Sequence, residues 1–153
     1  MPLARVVTIE RRNPPGLHST PGYHHVTKIQ ASELVFLAGQ CPLDAAGDLA
    51  PGGLEGQTGQ VIRNILVALE STGARPEDVV RTVIYVVSAD REELSAVWTQ
   101  LNESPLAPAF TTASTLLGVA QLGFPGQLVE VDVTAALEPG RRSAGRTSSR
   151  SGG

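Results

Sequence analysis

The run Leu128-Val129-Glu130-Val131-Asp132-Val133-Thr134-Ala135 alternates acid or hydroxyl with aliphatic residues. With the period of two of a strand, Glu130, Asp132 and Thr134 share one face and the aliphatic side chains the other. A carboxylate on such a face can accept a proton from a bound water, which is general-base chemistry; it can equally be part of a solvated surface, as most strand carboxylates are. Tyr23 could orient a ligand or donate a proton, or simply pack at a rim. His24 and His25 follow it, but neighbouring strand residues point to opposite faces, so at most one of them enters a cleft. No His-x-His, HExxH or Cys-x-x-Cys spacing occurs, so no metal site and no cofactor are expected. Cys41, before Pro42, reads as a small buried filler. Ser114 lies in no GxSxG elbow, and Ala50-Pro51-Gly52-Gly53 lacks the ending of a phosphate loop, so a strand serine lining a pocket is the better reading of Ser114.

The elements that must position these groups follow from periodicity. Residues 3–9 predict a first strand, and a connection rich in proline and glycine leads to the β-prone Tyr23–Ile29. Leu34–Gln40 is apolar enough to predict the second strand of a hairpin, buried on both faces. A small-residue loop through Gly56 precedes a helix in which Val61, Ile62, Ile65, Leu66 and Leu69 form the apolar stripe and Gly73 the stop. Val79–Val87, rich in β-branched residues, predicts a central strand. Asp90-Arg91-Glu92-Glu93 opens a second helix, with Leu94, Val97, Trp98 and Leu101 facing inward. Two strands close the chain, separated by a turn around Pro125-Gly126. The order β-β-β-α-β-α-β-β implies an α+β domain over residues 1–138, one antiparallel or mixed sheet covered on one face by two helices. Residues 139–153, with no large apolar side chain, predict a disordered Arg/Ser/Gly-rich tail.

Composition narrows the function classes. The chain of 153 residues is 41% hydrophobic and 18% charged, with mean hydropathy near zero, as in an ordinary globular domain. No apolar run approaches a membrane span and no leader-like segment opens the sequence. A single cysteine fits a reducing compartment, so a cytoplasmic location is expected. Residues 1–138 carry 8 Lys+Arg against 15 Asp+Glu, a net −7, whereas residues 139–153 carry four arginines and no acid. An acidic body disfavours nucleic-acid binding, which needs clustered cations.

Pro21-Gly22-Tyr23, then LVFLAGQCPLD, the QT-x-QVIRNI helix, DVVRTVIYVV, GVAQL and VEVDVTA together resemble the RidA/YjgF family, known for imine and enamine deaminases. The likeness spans roughly residues 20–137, and AGQ-x-PLD combined with a late VE-x-D strand is its most specific part. It implies a chorismate-mutase-like fold, a homotrimer, and small-molecule clefts between subunits. It further implies that Glu130 holds and polarises the attacking water, that Tyr23 belongs to the cleft, and that the Gly39 backbone lies against the ligand. Ser95 stands where many members have asparagine.

The family's carboxylate-clamping arginine is missing. Its position is held by Ser114 in an ungapped alignment, or by Phe110 if Pro108-Ala109 is the reference pair, and no Lys or Arg occurs between Arg91 and Arg141. Losing one partner of such a charge-assisted contact costs roughly 2–5 kcal/mol. Standard 2-iminoacid turnover is therefore expected to be weak or absent, with His24 or His25 as a candidate replacement clamp. Two readings stay open: a small-molecule enzyme acting on a C=N bond, with Glu130 positioning water, and a ligand-binding or interaction protein without catalysis. Endoribonuclease activity, attached to some family members, is disfavoured by the acidic body.

Overall fold

The computed structural model describes residues 8–30 and 33–137. Their elements are β1 (Thr8–Arg12), β2 (Val26–Gln30), β3 (Glu33–Phe36), α1 (Gly53–Thr72), β4 (Val79–Val87), α2 (Arg91–Asn102), β5 (Ala113–Val119) and β6 (Val129–Leu137), with 3-10 turns at Pro76–Asp78 and Ala107–Phe110. The expected α+β architecture is present: a mixed sheet with two helices on one face. Its strands run in the order β3-β6-β4-β5, and β1 and β2 form a separate two-stranded sheet.

Two expectations are corrected. β2 and β3 are not a hairpin, because β2 pairs with β1 while β3 pairs antiparallel with β6. β3 is an edge strand, and it is not buried on both faces: Leu34 is 50% and Phe36 73% exposed. The last two strands do not pair with each other either. β4 lies between them, parallel to β5 and antiparallel to β6, so the loop joining β5 to β6 must cross the end of β4, where the Val87 amide donates to the Leu128 carbonyl at 2.8 Å. The first strand spans Thr8–Arg12; residues 3–7 of its expected range, and the tail at 139–153, lie outside the described residues.

α1 begins four residues earlier than its apolar stripe suggests. Gly52, at φ 97°, forms the left-handed turn into it, a conformation that costs only glycine nothing. Gly56 then passes so close to the preceding loop that a Cβ would stand 1.9 Å from the Pro51 carbonyl oxygen. At the far end Gly73 (φ 80°) donates back to Glu70 and Leu69, closing the helix as expected. In α2 the Asp90 carboxylate caps the first turn by accepting the Glu92 amide at 2.8 Å.

Alternation in the strands sorts the sheet into two faces. Ile84 and Val86 of β4, with Val129, Val131, Val133 and Ala135 of β6, pack against Val61, Ile65 and Leu69 of α1 and Val97 and Leu101 of α2. Among the described residues the other face carries no helix. Tyr85, Glu130, Asp132 and Thr134 occupy it, with the exposed Phe36 beside Thr134 on β3 and the 40%-exposed Leu117 beside Tyr85 on β5. The small sheet is tied to the body by Arg11, whose guanidinium donates to the Glu77 and Val79 carbonyls at 2.8 and 2.9 Å, and by Thr27, bonded to Thr112 at 2.5 Å. These ties hold the segment carrying Tyr23 against the edge of β5.

Candidate functional site

Glu130 lies on the helix-free face, opposite Tyr85 of β4 in the ladder. The strand-like segment after β3 runs along its other side: the Leu37 amide donates to Val133, and Gln40 and Val131 exchange backbone hydrogen bonds at 2.9 and 3.2 Å. Gly39 is thereby pressed against two carboxylates. A Cβ built there would stand 2.6 Å from Glu130 Oε2 and 2.9 Å from Asp132 Oδ1, so any side chain larger than glycine's has to displace these carboxyl groups. Cys41 Sγ donates to Glu130 Oε1 at 2.9 Å, and the Gln127 amide donates to the same oxygen at 3.2 Å. The Tyr85 hydroxyl donates to Asp132 Oδ2 at 3.1 Å.

Burial and then these contacts keep the donors protonated. Burial pushes the Cys41 thiol up to about 11, reinforced by the hydrogen bond to Glu130 and that residue's negative charge. Partial burial likewise raises the Tyr85 phenol, and its hydrogen bond to Asp132 acts in the same direction. Both groups are therefore neutral donors at physiological pH. Glu130 Oε1 receives two of these donors, while Oε2 faces the Gly39 backbone. An arrangement of this kind can accept a proton or orient a water, which is what attack on an electrophilic carbon requires.

The remaining expected residues gather elsewhere. Tyr23, Ser95 and Ser114 line a pocket of about 480 Å³ between α2 and the edge of β5, together with Pro21, Trp98 and Leu116. Tyr23 meets Trp98 edge to face at 6.2 Å, and its hydroxyl lies 3.2 Å from His18 Nε2. Ser114 Oγ accepts from the buried Thr82 at 2.6 Å and donates to the Thr112 carbonyl at 3.1 Å. None of the side chains lining this pocket is charged. His24 is not among them: its Nδ1 bonds the Thr111 carbonyl, and His25 Nε2 bonds the His18 carbonyl at 2.8 Å. A larger groove, about 940 Å³, runs along the outside of α1 and α2 past Ile62, Arg63 and Glu93. It contains none of the candidate residues, so its size does not outweigh the chemistry of the smaller pocket.

The fold thus assembles two groups and keeps them apart. Ser114 pairs with Thr82 in the ladder and lies on the helix side of the sheet, whereas Glu130 and Gly39 lie on the opposite face. Four neighbours escaped the reading of the sequence. Cys41 and Gln127 touch Glu130, Tyr85 touches Asp132, and Trp98, expected only as core, forms a wall of the pocket. Gln127, three residues before Glu130, is 3% exposed; a buried amide so close to a strand acid was the available signal. Among the described residues no group of three or more His, Cys, Asp or Glu is arranged to hold a metal ion, and no helix is long and apolar enough to cross a membrane.

The chain resembles known proteins over this same region. The family model described as endoribonuclease L-PSP matches residues 17–137. A crystal structure of the Rid-family protein YyfB from Yersinia pestis, a protein of unknown function, superposes with a TM-score of 0.77 at 32% identity, covering 84% of this chain and 98% of that one. A second Rid-family protein of unknown function from the same organism, YyfA, gives 0.60 at 27% identity, covering 86% and 100%. Among curated proteins, a RutC family protein of Pyrococcus horikoshii is 37% identical over 59 residues, 38% of this chain and 47% of its own length. The chain therefore spans about half the length of the curated relatives it matches.

Proposed function

Because this chain belongs to the endoribonuclease L-PSP family, the RidA/YjgF proteins, we propose that it binds a small, carboxylate-free imine or enamine and hydrolyses it with water held at Glu130. The observation that carries this reading is the pocket around Ser114. Its lining is aromatic and hydroxylic and includes no charged side chain; the Arg81 guanidinium that donates to the lining Thr115 at 2.9 Å stands beside Thr134 on the helix-free face. Uncharged ligands with a flat apolar body suit such walls, and ordinary 2-iminoacids do not.

Imine hydrolysis needs a held substrate, a polarised C=N and a water delivered to carbon. In this reading Tyr23, Trp98 and Ser95 hold the apolar part, with Ser114 offering a neutral contact at the position of the family arginine. Glu130 Oε2 accepts a proton from the attacking water, and the Gly39 backbone lies against the substrate. His24 plays a supporting part by fixing the segment that carries Tyr23. One copy cannot bring both groups to one substrate, since they lie on opposite faces of its sheet. A homotrimer in which the helix-free face of one copy meets the β5 edge of the next would complete the cleft. The exposed Phe36, Leu34 and Leu117 on the helix-free face suit burial against another copy.

The test compares two imines made in situ: one from benzylamine by an amine oxidase, without a carboxylate, and one from phenylalanine by an amino-acid oxidase. Semicarbazide trapping reports how fast each disappears. Preferential hydrolysis of the benzylamine product is expected. Faster turnover of the phenylalanine product would refute the carboxylate-free assignment. Mixing refolded Glu130→Gln and Trp98→Ala subunits should regain activity that neither has alone, and no recovery would argue against a shared cleft. Binding of the benzylamine-derived imine without turnover would favour the non-catalytic reading.

A further inference from the structure

Both donors to Glu130 reach the same oxygen, and each is fixed by a second set of contacts. Gln127 Nε2 bridges Glu130 Oε1 and the Val129 carbonyl, at 3.2 and 3.1 Å, while its own Oε1 accepts the Phe124 amide at 3.1 Å. At 3% exposure this amide is engaged at both ends and cannot swing away. The turn that carries it is pinned to α1 by Gln57, also 3% exposed, which accepts the Leu128 amide at 2.7 Å and donates to the Gly126 carbonyl at 3.0 Å. Cys41 is pinned to the same helix: Asn64 Nδ2 donates to the Cys41 and Leu43 carbonyls, each at 2.9 Å. Gln57 and Asn64 stand two turns apart on one side of α1. A single rigid helix thereby sets the positions of both segments that converge on Glu130.

We propose that Cys41 and Gln127 are positioning residues for Glu130, holding Oε1 between a thiol and an amide so that Oε2 alone is presented beside Gly39. This rests on the reading of Glu130 given above. A carboxylate free to rotate would offer either oxygen in several poses; one with Oε1 occupied offers a single acceptor direction. The thiol suits the task because it stays protonated until strongly alkaline pH, and so remains a donor throughout the working range. Cys41 donates here, and no nucleophilic step is assigned to it.

Two measurements test this. In the first, Cys41→Ala and Gln127→Ala are assayed on the benzylamine-derived imine. Losing a hydrogen bond to a charged group should lower kcat by roughly 10-fold or more with KM nearly constant, and Cys41→Ser, which keeps a hydroxyl donor, should recover most of the loss. The second reads the hydrogen bond without turnover. Cys41 is the sole cysteine, so the Cβ chemical shift of protein labelled with 13C-cysteine titrates one group. The wild-type midpoint near 11 should fall in Glu130→Gln yet stay above 9.0, because burial persists. A midpoint unmoved in Glu130→Gln overturns the proposal. So does wild-type turnover that Glu130→Gln abolishes while Cys41→Ala and Gln127→Ala leave it intact, in which case the reading of Glu130 still stands. Absence of turnover in wild type overturns that reading, and the positioning role with it.

Discussion

Replacing Gly39 by alanine probes the acidic corner with a single methyl group. The added carbon would sit 2.6 Å from Glu130 Oε2, 2.8 Å from its Cδ and 2.9 Å from Asp132 Oδ1, against 3.4 Å for ordinary contact. The Glu130 carboxylate must therefore retreat by about 0.8 Å, the gap between 3.4 and 2.6 Å. That retreat draws Oε1 away from Cys41 and Gln127, which hold it at 2.9 and 3.2 Å. Misplacement of a reacting group by about 1 Å costs on the order of 100-fold in rate, and overpacking costs roughly 1–3 kcal/mol of stability. In a chain of this size that is a fall in Tm of several degrees, at roughly 2–4 °C per kcal/mol. The assay is hydrolysis of the benzylamine-derived imine, measured beside a thermal melt. Gly39→Ala should lose about 100-fold in kcat/KM while still melting cooperatively. Wild-type activity and an unchanged Tm would show that the carboxylates are not where they are described, and the reasoning would fail.

Other perturbations have equally definite outcomes. Gly56→Ala sets a Cβ 1.9 Å from the Pro51 carbonyl oxygen, which only backbone movement can relieve; a loss of at least about 2 kcal/mol is expected by urea denaturation. Ser114→Arg supplies a cation to an uncharged pocket, and turnover of the phenylalanine-derived iminoacid should rise by roughly 30-fold or more, the low end of what such a contact contributes. The Cys41 thiol titrates near 11 in the folded chain against an ordinary 9.0, so the folded state binds its proton more tightly than the unfolded state. Its contribution to stability is complete below pH 9 and lost as pH rises toward 11. Solvent screening of this partly exposed group keeps the contribution under about 2 kcal/mol, and denaturation of wild type and Cys41→Ala at pH 8 and above pH 11 should show the difference between them shrink.

Much of the fold was legible because its signals are local. The β-branched Val79–Val87 became the central β4, Asp90 caps α2, and Gly73 ends α1, all from chemistry within a few residues. Strand pairing was less so: whether Leu34–Phe36 meets β2 or β6 depends on register between residues about a hundred positions apart, which periodicity does not encode. The start of α1 was hidden because Pro51-Gly52-Gly53 reads as loop, although two of its glycines form the turn into the helix. Glu130 stood out through its alternation with valines. Its partner Cys41 did not, since a thiol before proline carries no mark of the carboxylate it meets across 89 positions. The placement of Ser114 and Glu130 on opposite faces follows from β4 lying between β5 and β6, and that too is a property of pairing.

The most direct measurement is hydrolysis of the carboxylate-free benzylamine imine by wild type and by Glu130→Gln, side by side at neutral pH. General-base catalysis contributes about 100-fold or more. Wild type should therefore accelerate loss of the imine, and Glu130→Gln should lose at least that factor while keeping its melting behaviour. Equal rates in the two proteins would contradict the assignment of the attacking water to Glu130.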